Sequence, residues 1–302
     1  MVISTGNHPK ALWPGVHAWV MGQYDEHPQE FSQIFDMETS GMAYEEDVEL
    51  TGFGLATVKG EGGSTSYDSH TQGYTTRYTH VAYSLGYIVT REEQDDNLYK
   101  SRSFKRGKML AFSFNTTKEI VAANILNRAF SASYAGGDGK PLLAADHPSL
   151  AGNWSNVLST AADLSEAAIE DLLVQISEAK NSRGLQIAIK EDKLIVAPSN
   201  VFEAERIMKS TLRNDTDTNA VNAIRSMGRF PGGVCANHYL TDADAWFIKT
   251  NAPNGMTGFN RTKFEFKKDN DFDTDNAKAK GYERYSFGWS DPRGLYGTSG
   301  AP

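Results

Sequence analysis

Hydrophobic positions change period several times along the chain, and each change marks a different kind of element. Between Asp163 and Asn181, Ile169, Leu172, Leu173 and Ile176 recur at i, i+3, i+4 and i+7, which predicts an amphipathic helix. Asp163 with Glu166 supplies its start signal and Gly184 its stop. Val81, Tyr83, Leu85, Tyr87 and Val89 alternate strictly, the period of a strand with two unlike faces. Val48, Leu50, Phe53, Leu55 and Thr57 form a similar run upstream, so residues 46–90 read as one long hairpin. Its connection from Gly60 to Gly73 is small, polar and flexible. A two-stranded ribbon is marginal alone in water, so this one needs a surface to lie on.

Thr90-Arg91-Glu92-Glu93 has capping-box spacing, and no proline interrupts the stretch from there to Phe130. A continuous helix over it would be roughly 60 Å long. Its first half is cationic (Lys100, Arg102, Lys105, Arg106, Lys108) and its second half apolar (Ile120, Val121, Ile125, Leu126). Gly107 and Asn115-Thr116-Thr117 mark where it could bend. Short strands are expected at Gln186–Ile189, Lys193–Val196, Gly233–Tyr239 and Ala245–Thr250. Pro198-Ser199 opens a helix with Val201, Ala204, Met208 and Leu212 on one face. Phe259 to Tyr296 is strand-rich. Helices and strands mix without a βαβ rhythm, so the class is α+β. Residues 1–45 look like an arm. Trp13, Val16, Trp19, Val20, Phe31, Ile34 and Phe35 are scattered among Pro14, Pro28 and polar residues, a pattern suited to lying across another surface.

Composition narrows the function. The chain has 302 residues, 39% hydrophobic and 23% charged, enough for a sizeable core. A net charge of −8 argues against a general nucleic-acid-binding surface, yet suits a protein that sits beside DNA without adhering to it. The single cysteine, Cys235, excludes an intrachain disulfide framework and a multi-cysteine zinc site. Met1-Val2-Ile3-Ser4 lacks the regions of a signal peptide, and no apolar run reaches the ~18 residues of a membrane span. A soluble chain of intracellular origin is expected.

Candidate chemistry is sparse. Gly139-Lys140 is followed by Pro141, and Tyr134 stands where a phosphate loop needs glycine. Gly60-Glu61-Gly62 is only half a dinucleotide fingerprint, with Thr65 at the third glycine position, and no G-x-S-x-G elbow occurs. Of His8, His17, His27, His70, His80, His147 and His238, none pair at i, i+4 as a zinc helix requires. Asp269, Asp271, Asp273 and Asp275 alternate and invite a calcium reading. The loop would need glycine at 274 and glutamate at 280, where Thr274 and Lys280 stand, so a charged strand edge is expected. Cys235 lies in strand-like sequence and reads as a small buried hydrophobe. The remaining enzymatic alternative is a hydrolase assembled from Asp146, His147 and Cys235. No catalytic, cofactor-binding or metal-binding residue is assigned, and no cofactor is expected.

Arm, polar-tipped hairpin and rod helix suggest a structural subunit, and particular strings then resemble a family. They are Lys193-Leu194-Ile195-Val196-Ala197-Pro198, Ala204-Glu205-Arg206 leading into Lys209-Ser210-Thr211-Leu212-Arg213, and Asn237-His238-Tyr239-Leu240-Thr241-Asp242-Ala243-Asp244-Ala245-Trp246-Phe247. Asp271-Phe272-Asp273-Thr274 and the closing Arg284-Tyr285-Ser286-Phe287-Gly288-Trp289-Ser290-Asp291-Pro292-Arg293-Gly294 continue the series, with Ala144-Ala145-Asp146-His147-Pro148 and Asn153-Trp154-Ser155-Asn156 earlier. Together they resemble tailed-bacteriophage major capsid proteins, in particular the Mu-like major head subunits, well over about 90–297 and by architecture alone before that.

The resemblance implies a non-enzymatic subunit in four parts: an N-terminal arm (1–45), an extended loop (46–90), a peripheral domain with a spine helix (91–185 and 263–282) and an axial domain (186–262 and 283–302). It implies self-assembly as hexamers and pentamers into an icosahedral shell around double-stranded DNA, without sequence-specific binding and without a membrane. The partners implied are further copies of the chain, a portal protein, a separate scaffolding protein (because the arm is short) and decoration proteins. The site of action is the virion, assembled in the host bacterial cytoplasm. Some members of the family cross-link a loop lysine to an asparagine on a neighbour. Lys59 is the only lysine in this hairpin, and neither an asparagine nor an activating acid can be matched to it, so packing and charge pairs are expected to hold the shell. The cationic 100–108 run is expected to meet acidic segments of a neighbour, such as Glu45-Glu46-Asp47 or the 269–275 aspartates. The alternative is a nanocompartment shell of the same fold that encloses protein cargo.

Overall fold

Two four-stranded sheets share one long helix. The computed structural model describes residues 20–22, 24, 28–92, 99–213, 220–271 and 273–301, with the helical residues 99–105 described by backbone alone. The first sheet runs in the order β1 (Asp36–Thr39), β8 (Met256–Asn270), β9 (Ala277–Trp289), β4 (Val81–Val89). β1 is parallel to β8, and the other pairs are antiparallel. The second sheet runs β10 (Leu295–Thr298), β7 (Trp246–Thr250), β5 (Glu191–Val196), β6 (Val234–Ala236). β2 (Tyr44–Leu50) and β3 (Gln72–Thr79) form a separate ribbon. The helices are α1 (Phe31–Ile34), α2 (Tyr99–Asn127), α3 (Glu166–Ser177), α4 (Val201–Lys209) and α5 (Ala223–Ser226).

The second sheet is covered on both faces, and strand alternation explains how. Leu194 and Val196 of β5, with Trp246 and Ile248 of β7, face Ile169, Leu172, Leu173 and Ile176 of α3 and Ala204 and Ile207 of α4. The intervening Ile195 and Phe247 face the other way, with Cys235 and Leu295, onto Ala122 and Leu126 of α2 and onto Leu142 and Leu143. Each such fully buried side chain is worth about 1.5–3 kcal/mol. The first half of α2 rests on the first sheet instead, through Leu110, Ala111 and Phe114 against Phe264, Phe266 and Ala279. Gly281 of β9 makes this approach possible. A Cβ there would lie 2.6 Å from the Phe114 ring and 2.8 Å from the Phe264 ring.

The expected helices and strands mostly form, with shifted ends. The predicted 163–181 helix spans Glu166–Ser177, and Ser165 rather than Asp163 caps it, accepting from Ala168 N at 3.3 Å. Gln186–Ile189 forms only an isolated bridge at Gln186, so β5 is the single strand of that region. The helix opened by Pro198 ends at Lys209, before Leu212.

Two expectations are corrected. Residues 46–57 and 81–89 do not pair with each other. β2 pairs with β3, while β4 pairs with β9, Val81 opposite Tyr285 and Val89 opposite Ala277. Alternation identifies a strand but not its partner. The switch of sheet occurs at His80, whose buried ring is held by Ser286 Oγ on Nδ1 and Ser40 Oγ on Nε2, both at 3.0 Å. The described part of the arm also docks on its own chain. Phe31, Ile34 and Phe35 are buried beneath α2 and β9, and Glu119 accepts from the backbone N–H groups of Glu30 (2.8 Å) and Phe31 (3.0 Å). Their i, i+3, i+4 spacing is one face of a single helical turn, too short to stand out as a period. Trp13, Val16 and Trp19 lie outside the described residues.

Candidate functional site

The residues offered for hydrolysis do not converge. Asp146 pairs with Lys140 at the surface. His147 is 1% exposed, with Nδ1 2.6 Å from Asp138 Oδ2 and Nε2 3.1 Å from Asn156 Oδ1, and its ring stacks on Trp154. Asn156 is fully buried. Its Nδ2 donates to the carbonyls of Leu142 (2.7 Å), Leu295 (3.1 Å) and Pro292 (3.2 Å), and its Oδ1 also accepts from Ala144 N (2.9 Å). The cluster is a knot tying three chain segments together, and no reading of spacing found it. Cys235 is buried in the apolar layer beneath α2, and burial pushes its thiol up to about 11, so it is not a nucleophile at neutral pH.

Asp269 lies among the last residues of β8, opposite Lys278, and Asp271, Asp273 and Asp275 occupy the β8–β9 connection. Asp271 Oδ2 pairs with Lys278 Nζ at 2.5 Å, which holds its carboxyl below the usual range, and Asp273 N donates to Asp271 Oδ1 at 3.4 Å. Phe272 lies outside the described residues. Among the described residues no group of three or more His, Cys, Asp or Glu is placed to hold a metal ion. No described helix is long and apolar enough to cross a membrane.

What the chain presents outward is a loop. Residues 51–71 leave the ribbon without regular pairing and carry Phe53, Leu55, Val58 and Tyr67 into solvent, Leu55 at 81% and Tyr67 at 93% exposure. The root is tied by Thr51 and Thr71, whose hydroxyls lie 3.0 Å apart, with Thr71 N donating to Thr51 Oγ1 at 2.8 Å. Above it Gly54 N donates to Asp68 Oδ2 at 2.8 Å. The N–H groups of Gly54 and Ser69, with Arg183 nearby, hold the Asp68 carboxyl below its ordinary value. Arg183, in the turn after α3, donates to Gly52 O and Ser69 O. Lys59 lies on this exposed segment. Glu46 pairs with Arg77 across the ribbon at 3.7 Å, and Ser40 Oγ donates to Glu45 Oε1 at 2.5 Å, so two of the three acids in the Glu45-Glu46-Asp47 segment have partners at home. Of the cationic run, the side chains of Lys100, Arg102 and Lys105 lie outside the described residues, and Lys108 is exposed.

A loop that carries four large apolar side chains into solvent, on a core buried on both sheet faces, is a surface suited to association. A family model described as phage capsid protein matches residues 73–297, and the chain belongs to that family. It is thus a structural protein of the virion capsid and not an enzyme. No curated protein matches the chain. Among solved structures, the capsid of a native GTA particle is similar at TM-score 0.59 and 11% identity, over 91% of this chain and 92% of that one. The structure titled Mycobacterium phage Adephagia is similar at 0.55 and 11%, over 100% and 99%. A virus-like particle from Pyrococcus furiosus is similar at 0.54 and 11%, over 94% and 98%. These likenesses establish the α+β tailed-phage capsid fold.

Proposed function

We propose that the chain is the major head subunit of a tailed phage of the Mu-like subgroup. Copies assemble as hexamers and pentamers into an icosahedral shell around double-stranded DNA, in the cytoplasm of the host. The observation that carries this reading is the 51–71 loop, which exposes large apolar side chains while its root is fixed to the body. Rings join unlike patches of identical subunits, and a projecting loop meeting a different surface on the next copy suits that geometry. The strings Asn237–Phe247 and Arg284–Gly294 support the subgroup. The net charge of −8 favours a wall that does not hold packaged DNA.

In this reading residues 1–45 are the arm and 46–90 the extended loop. Residues 91–185 with 263–282 form the peripheral domain, and 186–262 with 283–302 the axial domain. A portal protein, a scaffolding protein and decoration proteins are the further partners. Electron microscopy of the protein co-expressed with a scaffold tests it: closed shells of uniform size are expected, and a strictly monomeric species under all assembly conditions would overturn it. A nanocompartment shell of the same fold that encloses protein cargo is the second reading, and the likeness to the virus-like particle from Pyrococcus furiosus supports it as far as the fold. Nucleic acid inside native particles separates the two.

A further inference from the structure

Midway along α2, Lys118 turns inward between the helix and the first sheet. Its Nζ lies 2.5 Å from Glu283 Oε1 on β9 and 3.0 Å from Asn260 Oδ1 on β8. The Lys118 and Glu283 side chains are 7% and 1% exposed. The Phe31 and Tyr285 rings close over the nitrogen, with centroids 5.3 and 5.0 Å away. Tyr24 donates to the same Glu283 oxygen at 2.9 Å, whereas Glu283 Oε2 is buried without a hydrogen-bond partner. An ion pair in such a site gives up hydration that its mutual attraction only partly restores, and an unsolvated carboxylate oxygen adds to that cost. Passing one proton from Lys118 to Glu283 removes both charges. It also leaves a free amine against a carboxamide, with a carboxylic acid beside them.

Amine, carboxamide and acid are the groups needed to transfer an acyl group from one nitrogen to another. Asn260 Oδ1 is already within hydrogen-bond reach of the nucleophile, and the carbonyl carbon is one covalent bond further on. β8 fixes Asn260 by pairing it with Tyr285 on one side and Thr39 on the other. Such fixed placement of reactants replaces a bimolecular encounter.

We propose that Lys118 and Asn260 join in an isopeptide bond within the chain, with Glu283 as the acid–base group. Glu283 takes a proton from the ammonium, and Lys118 Nζ attacks Asn260 Cγ. The Cγ–Nδ2 bond then breaks as Nδ2 is protonated and leaves as ammonia. Of the three ammonium protons, one stays on the new amide, one departs with ammonia and one remains on Glu283, whose Oε2 has no hydrogen-bond partner. Atoms and charge balance with no co-reactant. The bond would staple α2 to β8 and close a loop across 142 residues of sequence separation.

Denaturing mass spectrometry of the purified full-length chain, followed by tryptic mapping, tests this. Wild-type protein is expected to be lighter than its sequence mass by one ammonia. It should also yield a branched peptide joining the segments around Lys118 and Asn260, with no cleavage after Lys118. Lys118→Arg and Glu283→Gln are expected at full sequence mass, with circular dichroism reporting whether each has folded. Folded wild-type protein at full mass overturns the proposal whatever the variants do. So does an ammonia loss without the branched peptide. Shell formation is read separately by microscopy, so failure here leaves the capsid assignment standing.

Discussion

The Arg183 guanidinium donates from Nε to Gly52 O at 3.0 Å, joining the turn after α3 to the root of the projecting loop. Its Nη2 reaches Ser69 O at 2.5 Å and Asp68 Oδ1 at 3.3 Å, so one side chain holds both legs of the loop. Arg183→Ala is expected to speed hydrogen exchange and proteolysis across residues 53–70. The cost in stability should be about 1 kcal/mol, since the bonds are partly exposed. Unchanged exchange in the loop would show that Thr51 and Thr71 suffice.

Leu55→Asp and Val58→Asp alter side chains that face solvent. Thermal unfolding of the isolated subunit should move by no more than about 0.5 kcal/mol equivalent. Particle yield should fall sharply. Normal shells from both variants would remove the loop from the assembly contact.

Asn156→Ala removes the amide donor shared by the Leu142, Pro292 and Leu295 carbonyls and the acceptor facing Ala144 N and the buried His147 Nε2. Unfolding in urea should show a loss of roughly 3–5 kcal/mol, given the usual cost of unsatisfied buried groups. Leu172→Ala, a plain cavity in the α3 layer, should cost about 2–5 kcal/mol. A small effect at Asn156 would mean that the knot is dispensable.

Burial raises the Glu119 carboxyl to about 7, against the pull of the Glu30 and Phe31 N–H groups and of Lys118, with the Glu30 carboxylate adding to the rise. The folded chain therefore keeps a proton that the unfolded chain has released. This contribution is full below the unfolded value of 4.5 and is lost as pH rises to about 7. The loss is on the order of a few kcal/mol. Glu119→Gln lowers the baseline by removing one acceptor but should flatten that slope. Melting temperatures of both proteins across this window check it, and parallel curves would contradict it.

Cys235 should resist thiol reagents in the native state and react only when its layer opens. Labelling that tracks global unfolding in a denaturant series is the expected result. Rapid native labelling would place a local opening under α2.

Sequence made part of the core legible. The period of α3 exposed its buried face, and Lys193–Val196 read as a short strand, but nothing in that run showed that helices cover both of its faces. It could not reveal pairing partners, because β4 finds β9 almost two hundred residues away, and nothing in Val81–Val89 names that strand. The loop's apolar side chains were visible in order, but their exposure was not, since Leu55 would read the same in a core. Lys118, Asn260 and Glu283 left no local spacing at all, because only the packing of α2 on the first sheet brings them together. Asp138, His147 and Asn156 lie nine residues apart on one stretch folded by the His147–Trp154 bridge, and that spacing matches no chemical motif.

The long helix has one seat on each sheet, Phe114 on the first and Leu126 on the second. A beam carried on two supports cannot follow one of them without leaving the other or bowing between them. Any rotation of the two halves of this subunit must therefore be recorded as curvature or slippage in α2, which makes it the natural strain gauge of the molecule.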